Sequence, residues 1–167
     1  EKRFFLLPFD PKKYAMQPLT LAEPSLAVVC SNKVVAMHAM LPILFYYDFD
    51  GNLLEKKRIN TTHFSQMEQV SNPNNPKQAM ENYGEASWVM DMFCVDEGDV
   101  LIQFIVNLKT SPNPISHLLV NEKGEVIKEA LATPPVLFSE TGTDVVYLKE
   151  MESGLPNTVI KAKLNRK

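Results

Sequence analysis

The segments that decide the fold class are ILFYYDFDGNLLEKKRI, residues 43–59, and ISHLLVNEKGEVIKEAL, residues 115–131. Each begins with a short apolar run, passes through a polar turn with one glycine, and ends in a more charged run. Runs of about five to seven residues separated by such turns are typical of antiparallel β-hairpins. The two segments therefore predict two copies of one hairpin.

Each hairpin is preceded by two more strand-like runs. In the first copy these are residues 26–30 and 34–40, and in the second they are residues 88–95 and 100–108. Gly51 and Gly124 are 73 positions apart, whereas Lys33 and Asp99 are 66 apart, because the loop 109–114 is longer in the second copy. Strands that repeat while one loop changes length indicate repeated supersecondary units.

The repeats predict an all-β chain of antiparallel four-stranded meanders within one domain, residues 1–167. The two full units are expected at about 25–60 and 86–132, and a third, partial unit at about 134–165. Another strand is expected near the start, at residues 3–9. The polar insertion 60–86 interrupts the pattern, and Asn75 followed by Pro76 predicts a helix start within it. We therefore expect one short helical insertion around 62–84, with a stop at Gly84.

A unit of this kind resembles a blade of the TolB-like or NHL-like six-bladed β-propellers, a family of bacterial extracytoplasmic proteins. In such blades the third strand commonly ends in Asp or Asn, a glycine turn follows, and a charged outer strand comes last. The closing segment LPNTVIKAKLNRK, residues 155–167, also looks like the last strand of the extracytoplasmic members, many of them lipoproteins without assigned activity. The resemblance covers residues 25–60 and 86–165, and it implies an extracytoplasmic location.

The length of the chain departs from that family. Two full units and a partial one are too few for a ring, since propellers typically need four or more blades. Three arrangements therefore stay open: a piece of a longer propeller, a homodimer that completes one ring, or an open or different sheet. A β-sandwich in which the repeats are coincidental is a further alternative.

Charge and hydropathy exclude some partners. The formal net charge is −3, whereas nucleic-acid binding needs a clustered excess of Lys and Arg. No apolar run approaches the roughly 18 residues of a membrane span, and no signal or anchor is visible in the sequence. The partners that we expect are a protein or a glycan. No cofactor is expected.

The residues that could bind a metal are interpreted as structural. The run Asp48-Phe49-Asp50-Gly51-Asn52 resembles the start of a calcium loop, but it lacks the later Glu, so we interpret it as a hairpin turn. His38, His63 and His117 lack metal-ligand spacing and are interpreted as structural or surface residues.

Cys30 and Cys94 occupy matching places on the first strands of their units. Inner strands of neighbouring blades are usually too far apart for a disulfide, so two buried free thiols are expected.

Four residues are the candidate ligand-binding positions: Trp88, Asp91, Asp96 and Glu97. If the propeller interpretation holds, Asp91 lies on an innermost strand and faces the central channel, and Trp88 begins the same strand. Core packing for Trp88 and solvation of the turn for the acidic residues are the alternatives. No catalytic residue and no metal ligand is predicted.

The function expected from these features is that of a non-enzymatic, extracytoplasmic binding or scaffold module of the propeller type. The insertion 60–86 and the loop 109–114 would be its contact surface. Two alternatives stay open. One is a hydrolase or lyase that uses acidic residues at a propeller channel, and the other is a β-sandwich interaction domain.

Overall fold

The computed structural model describes residues 25–66, 75–96, 98–106, 115–131, 134–139, 144–149 and 158–164. Within these ranges the chain forms three antiparallel sheets and one helix. The first sheet contains β1 (Ser25–Cys30), β2 (Lys33–His38), β3 (Ile43–Tyr47) and β4 (Leu53–Arg58). The helix α1 (Pro76–Glu85) follows. The second sheet contains β5 (Trp88–Val95), β6 (Asp99–Ile105), β7 (Ile115–Val120) and β8 (Val126–Ala130). The third contains β9 (Val136–Ser139), β10 (Asp144–Lys149) and β11 (Thr158–Lys163).

In each sheet the strands follow one another in chain order, so the predicted meanders are confirmed. The middle strands β2, β3, β6 and β7 are buried on both faces, which explains why their sequences are nearly continuous apolar runs. The last strand of the first unit, β4, is largely exposed, and the residues of β8 are exposed or half-buried, in agreement with their charged sequences. The all-β fold class is therefore confirmed. The sheets of the described ranges do not close into a ring.

The turn between the third and fourth strands has the same hydrogen-bond pattern in both units. In the first, Asp48 Oδ1 accepts the backbone N–H groups of Asp50 and Asn52, each at 2.9 Å. Asn52 Nδ2 also donates to Asp48 Oδ2 at 2.8 Å. These bonds hold the pKa of the Asp48 carboxyl below its ordinary value, and the bond from the Asn52 side chain contributes most. Gly51 supplies the positive φ of 89°. The interpretation of this segment as a turn is confirmed.

The second turn repeats this pattern 73 positions later. Asn121 Oδ1 accepts the N–H groups of Lys123 and Glu125 at 3.0 and 2.9 Å, and Asn121 Nδ2 donates to Glu125 Oε2 at 2.8 Å. Gly124 has a φ of 80°. We call the pairs Asp48–Asn52 and Asn121–Glu125 the acid–amide clasps, because each joins one carboxylate to one side-chain amide across four residues.

The sheets stack with equivalent residues facing in the same direction. Val35 and Val100 meet in the core between the first and second sheets, and Leu101 lies in a separate core between the second and third. Val35 and Leu101 are equivalent at the offset of 66, and each faces the sheet that follows its own. Val34, the equivalent of Val100, is buried on the other face of the first sheet. The first two units are thus repeated copies that stack in one direction.

The two cysteines correct the sequence prediction. Cys30 and Cys94 form a disulfide, with their Cα atoms 5.1 Å apart, so the expected pair of buried free thiols is wrong. Two sheets that pack face to face are about 10 Å apart, and this distance is too long for a disulfide. Here the first strands, β1 and β5, come into direct contact at the edges of their sheets, and this contact brings the cysteines together.

The predicted helix is confirmed, with a shifted end. Helix α1 begins at Pro76, and the backbone N–H of Gln78 donates to Asn75 Oδ1 at 3.2 Å, as expected of an N-cap. The helix ends at Glu85, one residue beyond the predicted stop at Gly84. Residues 62–66 have no regular secondary structure. The predicted strand at 3–9 and the loop 109–114 lie outside the described residues.

Candidate functional site

A cleft of about 290 Å³ opens between the second and third sheets. Strands of both sheets form its walls, and the wall side chains are almost all apolar. The main apolar contributors are Leu101, Leu119, Val136, Val145, Ala162 and Leu164. Four of them, Leu101, Leu119, Val136 and Val145, belong to the core between these two sheets and are at least 92% buried. The cleft thus lies along a packed interface and is open to solvent.

A buried polar network lies at this interface. Gln103 Oε1 accepts the backbone N–H of Val136 at 2.7 Å and lies 2.9 Å from His117 Nε2. A backbone N–H only donates, so the Gln103 atom in contact with it is the amide oxygen. His117 Nε2 must then carry the proton and donate to the same oxygen. Gln103 and His117 therefore join β6 and β7 to the first residue of β9.

Burial also determines the charge state of this histidine. His117 is 7% exposed, and desolvation lowers the pKa of its imidazole to about 4. The ring is therefore neutral near pH 7, in the tautomer that carries its proton on Nε2. The bond from the Val136 N–H to Gln103 connects β9 of the third sheet to β6 of the second. Nothing in the strand pattern of the sequence indicated the contact.

Two lysines add charge to the cleft. Lys128 of β8 and Lys163 of β11 belong to its lining, one from each sheet. The described lining residues include no carboxylate. Both lysines have exposed side chains, because they lie on outer strands.

A second feature is the surface formed by the first strands β1, β5 and β9, which we call the first-strand surface. β1 contacts β5, and β5 contacts β9, so the three edges lie side by side. This surface exposes one large apolar side chain from each strand: Val29 at 60%, Met90 at 42% and Leu137 at 41%. Single exposed apolar residues of this kind are normal on a protein surface.

Asp91 lies on this first-strand surface. The register of β5 against β6 shifts between Val89 and Asp91, and this bulge leaves both Met90 and Asp91 exposed. The Asp91 carboxylate accepts the backbone N–H of Met92 at 2.8 Å. β-bulges commonly redirect a side chain in this way. That Asp91 faces a central channel and takes part in binding stays a prediction.

The structure does not bring the other candidates to one site. Trp88 is half-buried and packs against Ala39, Met40 and Ala86, as in the core-packing alternative. Asp96 lies in the turn between β5 and β6, half-buried, with a φ of 56°. Glu97 lies outside the described residues. Binding roles for these residues stay predictions.

The histidines occupy separate positions. His38 is half-buried and contacts the Phe45 ring edge to face, with centroids 6.2 Å apart, and burial lowers the pKa of its imidazole. His63 is exposed, and His117 belongs to the buried network described above. Within the described ranges, no group of three His, Cys, Asp or Glu residues is placed to hold a metal ion. Within the same ranges, no helix is long and apolar enough to cross a membrane.

The insertion 60–86 is fixed to the sheets at both ends. The backbone N–H of Ser65 donates to Ser87 Oγ at 2.8 Å, and the N–H of Ser87 donates to the carbonyl of Ser65 at 2.8 Å. Ser87 Oγ in turn donates to the carbonyl of Val106 at 2.6 Å. Phe64 is buried in the core between the first two sheets, 5.4 Å from the Phe104 ring. We call these contacts the insertion clamp.

Above the insertion clamp, α1 is largely exposed. Lys77, Met80, Glu81 and Glu85 all have exposed side chains, and Met80 is the most prominent apolar group among them at 58% exposed. An exposed helix on a fixed base is a structural platform for contacts.

Comparisons with protein-family models, with curated proteins and with solved structures find no match for this chain.

Proposed function

We propose that this chain is a non-enzymatic binding or scaffold module of the propeller type, which acts outside the cytoplasm on a protein or glycan partner. The observation that carries the proposal is the insertion clamp. Ser65, Ser87 and Phe64 fix both ends of the insertion to the sheets, while α1 above them is exposed. A segment held in this way presents a contact surface without a large entropy loss on binding.

The propeller type is supported by the stacking of the sheets. Equivalent residues such as Val35 and Leu101 face the following sheet, and the first strands β1, β5 and β9 adjoin one another. Both features are expected of neighbouring blades around a common axis. A β-sandwich, by contrast, pairs the inner faces of two sheets around a single core.

The location outside the cytoplasm is supported by the Cys30–Cys94 disulfide. Disulfides form and persist mainly in oxidising compartments and are rare in the cytosol. Fractionation of cells that express the chain, with thiols blocked at lysis, tests this part of the proposal. Reduced cysteines in a cytosolic fraction would contradict it.

The binding role is tested by removing the contact surface while keeping its base. Deletion of residues 66–82 leaves residues 83–86 to connect Ser65 with Ser87, which are already hydrogen-bonded to each other. We expect the deletion variant to lose the helical signal of α1 from its circular dichroism spectrum, to keep the β-sheet signal, and to keep its thermal midpoint within a few degrees. The intact chain, immobilised, is exposed to a glycan array and to the extracytoplasmic fraction of its source cells. A partner bound by the intact chain should be lost from the deletion variant.

A point substitution provides the matched control. Met80→Glu changes the exposed face of α1, and Ile127→Glu makes the same kind of change on β8, where Ile127 is 37% exposed. We expect the first to weaken partner binding at least fivefold and the second to leave it unchanged. A deletion variant that binds as well as the intact chain, or one that fails to fold, contradicts the proposal. The hydrolase or lyase hypothesis stays a separate prediction, tested with Asp91→Asn.

A further inference from the structure

A pocket of about 340 Å³ opens to solvent where the chain leaves β4, and the segment 58–66 supplies almost all of its described lining. This volume falls within the range of about 300–1,000 Å³ that small-molecule sites occupy. The buried part of the lining is apolar, and the more exposed part is polar. From this combination, we propose that the pocket binds one pyranose ring of a glycan. The inference deepens the proposed function and rests on it, because it takes a glycan as the partner.

The buried part of the lining, which we call the pocket floor, consists of Pro42, Ile59 and Phe64. Ile59 and Phe64 are 3% and 8% exposed and belong to the core between the first and second sheets, so packing holds them in place. The backbone N–H of Ile59 also donates to the carbonyl of Pro42 at 2.8 Å. A pyranose ring has an apolar face made of C–H groups, and burying that face on the pocket floor is favourable.

The polar part of the lining, which we call the pocket rim, is held by hydrogen bonds. Arg58 Nη2 donates to Gln66 Oε1 at 2.8 Å and so joins the two ends of the segment. Thr61 Oγ1 donates to Glu129 Oε1 at 2.6 Å, and Thr62 Oγ1 donates to Glu129 Oε2 at 3.2 Å. These bonds fix the middle of the segment to β8. A rim that is already ordered loses little conformational freedom when a ligand binds.

The pocket rim keeps polar groups that can contact a ligand. The Asn60 carboxamide is exposed and makes no hydrogen bond to any part of the chain that the structure describes. The Arg58 guanidinium has further N–H groups besides the one that Gln66 accepts. Sugar hydroxyl groups both donate and accept, so they match the amide and the guanidinium together. A simple anion fits less well, because it cannot donate to the Asn60 carbonyl and would lie near the Glu129 carboxylate.

The surroundings of the pocket suit a chain of sugars. Arg58 and Asn60 also border a second, polar depression of about 540 Å³, which lies between β4 and residues 123–126. Both depressions open to solvent and share these two residues. A sugar ring in the pocket therefore has room beside it for the next ring of the same glycan.

The experiment titrates the intact chain with the methyl glycosides of glucose, galactose, mannose and N-acetylglucosamine. Amide chemical shifts in nuclear magnetic resonance spectra report both the affinity and the place of binding. Glycerol, which has hydroxyl groups without a ring, and cyclohexanol, which has a ring with a single hydroxyl group, are the control probes. We expect at least one glycoside to shift the amides of residues 58–66 saturably at millimolar concentrations. Both control probes should bind at least tenfold more weakly.

Three substitutions test the assignment. Asn60→Ala removes an exposed side chain that makes no bond in the described ranges, so the fold stays intact, and it should weaken the glycoside at least fivefold. Arg58→Ala also removes the bond to Gln66 and should weaken it at least tenfold. Lys56→Ala is the matched control and should change nothing. Lys56 is an exposed cation of the same strand, but it lies over the Phe45 ring, outside the pocket lining.

Several outcomes would overturn the proposal. Failure of every glycoside to shift residues 58–66 saturably shows that the pocket does not bind a sugar ring. Glycerol that binds as well as the glycosides shows that the ring is not recognised. A glycoside that binds Asn60→Ala and Arg58→Ala as well as the unaltered chain lies elsewhere on the molecule.

A further variant separates this proposal from the proposed function. The methyl glycosides reach only the pocket, so Met80→Glu on α1 should leave their affinity unchanged. If no glycoside binds, while a protein partner bound by the intact chain is lost from Met80→Glu, the sugar site is rejected and the proposed function stands. If a glycoside binds at residues 58–66, while Met80→Glu and the deletion of residues 66–82 leave partner binding intact, the contact role of α1 is rejected instead.

Discussion

Reduction of the Cys30–Cys94 disulfide should lower the free energy of unfolding by about 4 kcal/mol. The bond joins residues 64 positions apart and links β1 of the first sheet to β5 of the second. A covalent link across a loop of that length restricts the unfolded chain, and the loop-closure relation gives about 4 kcal/mol at 25 °C for it. The thiols that remain after reduction keep their places in the core, so the folded state loses little packing.

Urea unfolding with and without a phosphine reductant measures this difference. The single tryptophan, Trp88, is a suitable probe, because it is half-buried beside Ala39 and Met40 and begins the strand that carries Cys94. With a slope of about 2 kcal/mol per molar urea, the reduced protein should unfold at a midpoint about 2 M lower. The double variant Cys30→Ala/Cys94→Ala is the control, and its midpoint should not respond to the reductant.

Two results would refute this reasoning. Two titratable thiols in the unreduced, denatured protein would show that the cysteines are not paired. A midpoint shift below about 0.5 M, with complete reduction verified by thiol titration, would show that the link contributes less than about 1 kcal/mol. The second result would mean that the unfolded chain already keeps β1 and β5 close together.

Three further predictions concern single side chains. Because burial lowers the pKa of His117 to about 4, the unfolded state binds a proton first as the pH falls; the stability that His117 contributes should be constant above about pH 6.5, fall by about 3 kcal/mol down to pH 4, and then level off. His117→Gln should remove that part of the pH dependence in urea unfolding. Gly124→Ala should cost about 1–3 kcal/mol in thermal unfolding, because φ is 80° and the new Cβ would lie 2.5 Å from Lys57 Cδ. Asn75→Ala should destabilise α1 by about 1 kcal/mol in amide exchange, whereas Asn75→Asp should not.

Each of these has a contradicting outcome. A His117→Gln profile parallel to that of the unaltered chain would show that other groups cause the pH dependence. A Gly124→Ala variant as stable as the unaltered chain would show that the turn and the Lys57 side chain adjust at no cost. Equal exchange rates in both Asn75 variants would show that the cap bond is not formed in solution.

The strands and turns could be predicted because their signals are local. The apolar run at residues 43–47 indicates a buried strand, and the glycines at Gly51 and Gly124 indicate turns that need a positive φ. The start of α1 followed likewise from Asn75 and Pro76, which cap and begin the helix. For such elements the residues that determine the structure are neighbours in the sequence.

The contacts between sheets could not be predicted, because no local signal encodes them. Alternation shows that His117 and Leu118 point to opposite faces, but not which sheet each face meets. The bond from His117 to Gln103 and the cleft beside it depend on how closely the third sheet packs. The disulfide was missed for a related reason, since the approach of β1 to β5 depends on the packing angle between two sheets. The cleft lysines, Lys128 and Lys163, appeared in the sequence only as charges on outer strands.

The acid–amide clasps have a consequence for how the two copies could diverge. The first clasp has its acid at Asp48 and its amide at Asn52, whereas the second has its amide at Asn121 and its acid at Glu125. Asn121→Asp alone would set two carboxylates against each other and destabilise the turn by a few tenths of a kcal/mol. Glu125→Asn alone would leave two amides, which still hydrogen-bond. A clasp with the acid first therefore changes into one with the acid second more easily through the intermediate that has two amides than through the one that has two carboxylates. The two positions of each clasp should covary for this reason.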